Sequence, residues 1–165
     1  MFVEFEEMPG DARIWIYQAD REFTENETES ITKECMKFLD QWAAHGSGLR
    51  SSFEISYNRF LIISIDEKQA MASGCSIDSC VHFVQSLGNA LGVDFFSRTN
   101  MAFLKNGEVI IEDLSGIKTN QTLNHISAET LTFNNLIQVK SDLESKWIIP
   151  VSESWMNKYF KTQKV

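Results

Sequence analysis

Positive charge is scarce in this sequence, which has 15 Lys and Arg residues against 23 Asp and Glu residues and a formal net charge of −8. A surface this acidic repels the phosphate backbone of nucleic acids and the anionic head groups of lipids. Long apolar runs are also missing, and the longest, such as residues 60–63, are far too short to span a membrane. We therefore expect no nucleic-acid partner and no membrane insertion.

Cysteine is rare as well: the chain has three, and none of them forms a CxxC pair. An odd number of separated cysteines is typical of reduced thiols in the cytosol. Residues 1–7 lack the basic and apolar segments of a signal peptide. These patterns predict a cytoplasmic protein. The spacing of Cys75, Cys80 and His82 matches no common zinc motif, so we expect no metal and no cofactor.

Glycine-rich loops of the form GxxxxGK[ST], whose amides and lysine hold nucleotide phosphates, do not occur in the sequence. We therefore expect neither tight ATP–magnesium binding nor ATP hydrolysis. No complete nucleophile, acid–base or metal set can be read along the chain either. This favours a non-catalytic binding or interaction module over an enzyme.

The length of 165 residues and the hydrophobic fraction of 43% fit a single domain with one sizeable core. We divide it into a loosely held lead-in (residues 1–12), an α/β unit (13–114) and a C-terminal extension packed on that unit (115–165). Four aromatic residues of the extension either pack internally, which we expect, or form the contact of a homodimer: Trp147, Trp155, Tyr159 and Phe160. The chain is thus a monomer or a homodimer.

The first half of the chain shows clear strand and helix patterns. Residues 13–17 are apolar on both sides and predict an interior strand. Thr24 and Glu27 have the spacing of a capping box, and the apolar residues behind them repeat along one helix face as far as Trp42. Gly46 or Gly48 is expected to end this helix. Residues 51–57 alternate as a half-exposed strand, and residues 60–65 predict a strand buried on both faces.

The second half continues with a helix for which we predict Ser76 as the N-cap, Asp78 in the first turn and Gly92 at the end. Asn106-Gly107 between two apolar runs predicts a β-hairpin. The order strand, helix, strand, strand, helix, strand is that of a βαββαβ split unit. We therefore expect an α+β fold: an antiparallel sheet with a ferredoxin-like unit, an added hairpin and a C-terminal helical segment.

One segment, residues 74–78 with the sequence Gly-Cys-Ser-Ile-Asp, is a candidate site. Cys75 lies just before the predicted helix, where unpaired amides and the helix dipole favour a thiolate or a bound anion. Asp78 and His82 lie four residues apart on one helix edge, so Cys75, Asp78 and His82 could form a thiol, acid and imidazole set. The alternatives are a structural cap with a buried cysteine, a site for a small anionic or polar ligand, and a thiol-dependent enzyme or redox protein.

Two further features stay open at the level of sequence. His45 is expected in the last turn of the first helix, where it complements the helix dipole, and it is a second candidate ligand-binding residue beside Cys75, Ser76 and Asp78. Phe133-Asn134-Asn135 places two amides after an aromatic residue. Because buried amides need hydrogen-bond partners, these two either satisfy loop backbone or line a pocket.

Several strings along nearly the whole chain occur together in one known family: Trp15-Ile-Tyr-Gln18, Trp42-Ala-Ala-His-Gly46, Arg59-Phe-Leu61, Ala72-Ser-Gly-Cys-Ser-Ile-Asp78, Phe133-Asn-Asn-Leu136 and Ser154-Trp155. With them the chain resembles an uncharacterised family of small bacterial proteins often labelled "ABC transporter ATPase". The resemblance brings a label but no activity. The label is at odds with the missing phosphate-binding loop.

Overall fold

The computed structural model describes residues 1–119 and 125–160. They form two compact units, one from Met1–Phe96 with Leu136–Ser141 and one from the described residues of Ser97–Asn135 and Asp142–Val165. Each unit combines helices with an antiparallel sheet, so the predicted α+β class is confirmed. The expected single domain stays a prediction, and the predicted extension 115–165 falls partly outside the described residues.

The first unit is a three-stranded sheet, a short hairpin and two long helices. Its elements are β1 (Arg13–Gln18), α1 (Glu25–Gln41), β2 (Ala43–Ala44), β3 (Ser47–Gly48), β4 (Arg50–Ser56), β5 (Phe60–Asp66) and α2 (Gly74–Leu91). The strand order is β1-β5-β4, and both pairings are antiparallel. The central strand is therefore β5, and β1, which the sequence predicted to be an interior strand, lies at one side of this sheet.

The core of this unit lies between the sheet and its two helices. Leu61, Ile63 and Ile65 of β5 point into it, together with the apolar faces of α1 and α2. The intervening residues of β5 are buried as well, which confirms the prediction of a strand buried on both faces. Side chains alternate between the two faces of a strand, so a strand covered on both sides is apolar throughout.

The first helix begins where the sequence predicts. Thr24 Oγ1 accepts a hydrogen bond from Glu27 N, and Glu27 Oε2 accepts one from Thr24 N. Two of the amides that a helix start leaves unpaired are satisfied in this way. The helix ends earlier than expected, because Trp42 is its C-cap and neither Gly46 nor Gly48 takes that role.

Residues 1–12 are not a loose lead-in. Phe2 forms a bridge with Ser51 at the edge of β4, and Val3 N donates a hydrogen bond to Ser51 O. Lys140 Nζ donates to the carbonyl oxygens of Phe5 and Met8, at 2.7 Å each. The segment thus begins at the edge of β4 and is held to the rest of the first unit by backbone and side-chain bonds.

The second unit contains a four-stranded antiparallel sheet of order β7-β6-β8-β9. Its elements are β6 (Asn100–Lys105), β7 (Glu108–Asp113), α3 (Leu114–Lys118), β8 (Leu131–Phe133), α4 (Asp142–Ser145), β9 (Ile148–Pro150) and α5 (Asn157–Phe160). Asn106 and Gly107 have φ angles of 54° and 79°, as the predicted hairpin turn requires. Trp147 and Phe160 are buried in this unit, whereas Trp155 is exposed.

A ferredoxin-like unit is not confirmed. Such a unit would pair β6 with β1, but β6 pairs with β7 on one side and with β8 on the other. The outer edge of β1 bonds instead to the returning chain, where Ile14 N donates to Gln138 O and Lys140 N donates to Ala12 O. Both edges of β6 are therefore satisfied within its own sheet.

Glu27 links the start of α1 to Arg21 and makes stability depend on pH. The Arg21 guanidinium donates to both carboxylate oxygens, at 2.7 and 2.9 Å, and with the backbone N–H of Thr24 it holds the pKa of Glu27 at about 2. A carboxyl with a depressed folded-state pKa stabilises the fold above its unfolded pKa, and this contribution is lost as the pH falls towards the folded value. We expect Glu27→Gln to lower stability near neutral pH and to flatten the loss of stability between about pH 4.5 and 2.

Urea unfolding of both proteins at several pH values checks this expectation. Glu29→Gln, on the exposed side of the same helix, is the matched control and should keep the pH dependence of the parent. An unchanged slope in Glu27→Gln would show that the pair with Arg21 does not stabilise the fold.

Candidate functional site

The predicted site lies at the amino end of α2, where the helix begins earlier than the sequence suggested. Ser73 is the N-cap: its Oγ accepts from Ser76 N at 3.1 Å, and Ser76 Oγ accepts from Ser73 N at 2.8 Å. Ser76 also donates its hydroxyl proton to Ser73 O. Ser76 is therefore the third residue of the helix and 2% exposed, not the N-cap. Asp78 accordingly lies beyond the first turn.

Cys75, Asp78 and His82 all lie on the exposed side of α2. Their spacing of three and four residues places them on one face of the helix, as predicted. The ion pairs of the described residues do not include Asp78 with His82. The three residues thus share a face, and the roles expected for Cys75, Ser76, Asp78 and His45 stay predictions.

His45 does not lie in the last turn of α1. It occupies the turn between β2 and β3 with a φ of 51°, followed by Gly46 at 81°. The sequence reading failed because Trp42 leaves the helix to become buried. Trp42 Nε1 donates to Ser76 O at 2.9 Å and so joins the end of α1 to the start of α2. These two helix ends, for which the sequence did not predict a contact, meet in the structure.

The other two cysteines are buried in the core of the same unit. Tyr17 Oη and Cys80 Sγ lie 3.9 Å apart. Burial raises the pKa of Cys80 to about 12, and it also raises the pKa of Cys35 and of Tyr17 above their ordinary values. Both buried thiols are therefore protonated and inert in the folded protein.

The three cysteines differ in exposure, so we expect their alkylation rates in the native protein to differ strongly. Iodoacetamide should modify Cys75 in the native protein, while Cys35 and Cys80 should react only after unfolding in urea. Mass spectrometry of proteolytic peptides at several pH values measures each rate. A Cys75 rate matching that of a small-molecule thiol at every pH would count against the thiol-enzyme alternative, and native modification of Cys80 would contradict the burial.

A cleft lies near the opposite end of α2. It has a volume of about 520 Å³. Its lining residues come from the loop between β1 and α1, from the last turns of α2 and from the loop after α2. They are Asp20, Val84, Gln85, Gly88, Asn89, Gly92, Val93, Asp94, Phe95 and Phe96. None of them was predicted as a site residue. The cleft and the predicted site are thus at different ends of one helix.

The end of α2 is shaped by two glycines. Gly92 is the C-cap in the left-handed conformation, with a φ of 66°, which glycine adopts without steric penalty. Gly88 allows the following loop to approach the helix: Val93 N donates to Gly88 O, and a Cβ on Gly88 would lie 2.5 Å from Val93 O. A glycine inside a helix often marks such a close approach, and this was the signal that sequence reasoning missed.

Two aspartates hold the rim of the cleft together. Asp94 N donates to Asp20 Oδ1 at 2.9 Å, and Asp20 N donates to Asp94 O at 3.0 Å. Asp94 Oδ1 in turn accepts from Phe96 N at 2.8 Å. The reciprocal bonds fix the position of two exposed carboxylates beside the Phe96 ring, which packs edge-on against Tyr17. The two sides of the rim are therefore joined by hydrogen bonds within the chain.

In the second unit, the two asparagines that follow Phe133 both form hydrogen bonds with Trp147. Asn135 Oδ1 accepts from Trp147 Nε1 at 2.9 Å, and Asn134 N donates to Trp147 O. The Phe133 ring packs edge-on against Trp147. The side chain of Asn135 and the backbone of Asn134 therefore hold Trp147 in place, and the two roles expected for the side-chain amides both stay predictions.

Residues 1–119 and 125–160 contain neither a cluster of metal ligands nor a helix that could span a membrane. In that part of the chain, no three His, Cys, Asp or Glu side chains come together as metal ligands. Its helices are too short or too polar to cross a bilayer. No family model, no curated protein and no solved structure matches the chain significantly.

Proposed function

We propose that this protein is a cytoplasmic, non-catalytic binding module and that the cleft at the carboxyl end of α2 is its ligand site. One observation carries the proposal: a cleft of about 520 Å³ has a buried apolar floor and an ordered polar rim. Ligand sites in proteins are typically concave, apolar in the main and equipped with a few fixed polar groups, with volumes of roughly 300–1,000 Å³.

The floor and the rim separate cleanly by burial. Val84, Gly88, Val93 and Phe95 are buried, and they supply the apolar base. The rim consists of exposed carboxylates and amides: Asp20, Asp94, Gln85 and Asn89. A small polar ligand with an apolar part fits this division, because its apolar part leaves water while its polar groups meet acceptors and donors at the rim.

The lining chemistry favours binding over catalysis. The lining residues include no Cys, Ser, Thr, His, Lys or Tyr, so no thiol, hydroxyl, imidazole or amine nucleophile faces the cleft. The two carboxylates each accept a backbone N–H, which suits a structural and binding role. The exposed Cys75, on which the thiol-enzyme alternative rests, belongs to the first turn of the helix and does not line the cleft.

We also propose that the chain is related to the small bacterial proteins labelled "ABC transporter ATPase" that it resembles. Its function would then be to bind a ligand and not to hydrolyse ATP. The sequence lacks the GxxxxGK[ST] loop, and the cleft offers carboxylates where a nucleotide phosphate would need cations. An ATP–magnesium titration by calorimetry is therefore expected to show no tight binding.

A fragment screen by two-dimensional amide NMR tests the proposed site. The set should contain cationic, neutral and anionic compounds of similar size. We expect the binding fragments to shift the amide signals of Gly88, Gly92, Asp94 and Phe96 together. Binding confined to the face of Cys75 and His82, or no binding to the cleft by any class of fragment, would overturn the proposal.

A further inference from the structure

The charges around the cleft indicate what kind of ligand it takes. Resting on the proposed function, we propose that the cleft binds an organic cation: a primary ammonium or guanidinium group attached to a short apolar chain. Each part of such a ligand meets a matching feature of the site.

The rim supplies negative charge at a fixed position. Asp20 and Asp94 are tied to each other, because Asp94 N donates to Asp20 Oδ1 at 2.9 Å and Asp20 N donates to Asp94 O at 3.0 Å, and both residues line the cleft. One oxygen of each carboxylate accepts a backbone N–H. An ionised carboxylate has about four acceptor positions, so both groups keep the capacity to receive N–H donors from a cation.

The backbone adds to this field. The cleft lies at the carboxyl end of α2, where the unpaired carbonyl groups of the last turn give the helix dipole its negative end. A guanidinium group of the protein already binds at this helix end: Arg21 donates to the carbonyl oxygen of Leu91, the last residue of α2, at 2.9 Å. The other bonds of Arg21 go to Glu27, at 2.7 and 2.9 Å, and to Glu22 O, at 3.1 Å. The ion pairs of the described residues do not include Asp20 or Asp94.

The remaining lining residues suit the rest of such a ligand. Phe96 is 39% exposed at the rim, and the face of an aromatic ring attracts a cation. The buried floor of Val84, Val93 and Phe95 receives an alkyl chain. The lining contains no Lys, Arg or His, and the nearby Arg21 is bonded to Glu27 and to Leu91 O, so an anionic ligand would meet two carboxylates without a positive side chain in the lining.

The test compares probes that share an alkyl chain and differ in charge: n-butylammonium, n-propylguanidinium, n-butanol and butyrate. Each is titrated into the full chain at low salt, and the shifts of the Gly88, Gly92, Asp94 and Phe96 amides give its affinity. We expect both cations to bind the cleft at least tenfold more tightly than butanol and butyrate. Added sodium chloride should weaken the binding of the cations alone.

Variants separate the local charge from the overall acidity of the protein. The double variant Asp20→Asn, Asp94→Asn keeps the oxygen that accepts each backbone N–H and removes both charges. It should lower the affinity for the two cations at least tenfold and leave the affinity for butanol unchanged. Glu29→Gln with Glu34→Gln removes the same charge from the exposed side of α1 and should change cation affinity less than twofold.

Each outcome has a distinct meaning. Binding of butanol or butyrate in the cleft as tight as that of the cations would overturn the cation inference and leave the binding module intact. Cation shifts spread evenly over the acidic surface, or a loss of affinity equal in the control pair, would also overturn it. If the aspartate variants fail to fold, the comparison among the four probes on the parent protein still decides.

Discussion

Replacing Trp42 by alanine is expected to lower the free energy of unfolding by about 3–5 kcal/mol, as for other large buried side chains. Trp42 is 3% exposed and contacts Trp15 and Phe38 with its ring. Its Nε1 donates to Ser76 O at 2.9 Å, so the substitution removes packing and also leaves a buried carbonyl without this donor. Urea unfolding followed by far-ultraviolet circular dichroism measures the change.

Two further variants identify the cause. Trp42→Phe keeps most of the ring and removes the hydrogen bond, and we expect it to lower stability by about 1–3 kcal/mol. Trp155→Ala is the matched control, because Trp155 is 54% exposed, and it should change stability by only about 0.5 kcal/mol. Equal effects of alanine at Trp42 and Trp155 would show that the junction between α1 and α2 does not stabilise the fold.

Alanine at Gly88 is expected to destabilise the protein by about 1–3 kcal/mol, although alanine is the better helix former. The added Cβ would lie 2.5 Å from Val93 O and 3.2 Å from the Phe95 ring, so the loop that forms one wall of the cleft must move. The same substitution should therefore weaken the binding of n-butylammonium in the cleft. Chemical unfolding and the NMR titration together measure both effects.

Gly74→Ala provides the control for Gly88→Ala within the same helix. A Cβ at Gly74 would meet no atom within 4 Å, so alanine there should leave stability unchanged or raise it slightly. If both alanine variants were equally stable, the loop at residues 93–95 would not pack against the helix as closely as the structure shows.

Some elements follow from neighbouring residues and could be read from the sequence. Thr24 caps α1 because Glu27 stands three residues later, and the two side chains bond each other's backbone in any helix of this register. Asn106-Gly107 forms its hairpin because these two residues tolerate positive φ. In both cases the interacting groups lie within four residues, so the chain needs no distant partner to fix them.

Competition between similar local signals was decided by packing. Ser73 and Ser76 both suit an N-cap, and the sequence favoured Ser76. In the structure Ser76 is buried, and its carbonyl oxygen accepts a hydrogen bond from Trp42 Nε1. Ser73 is the N-cap, so Ser76 already belongs to the first turn of the helix. His45 shows the same effect, since the burial of Trp42 ends α1 before the histidine is reached.

Two features depend on contacts between residues that are far apart in the chain: the strand partners of β6 and the formation of the cleft. The sequence carried the strand pattern of residues 100–105 but not the choice between β1 and β8 as its neighbour, because hydrogen bonds between strands are the same for any partner. Asp20 and Asp94 are 74 residues apart, and neither belongs to a motif. The sequence by itself thus determined the α+β class, the capping box of Thr24, the Gly92 helix end and the Asn106-Gly107 turn, which need only neighbouring residues. The folded chain alone decided which strands pair and which polar groups share a cleft, because those contacts form only when distant segments pack together.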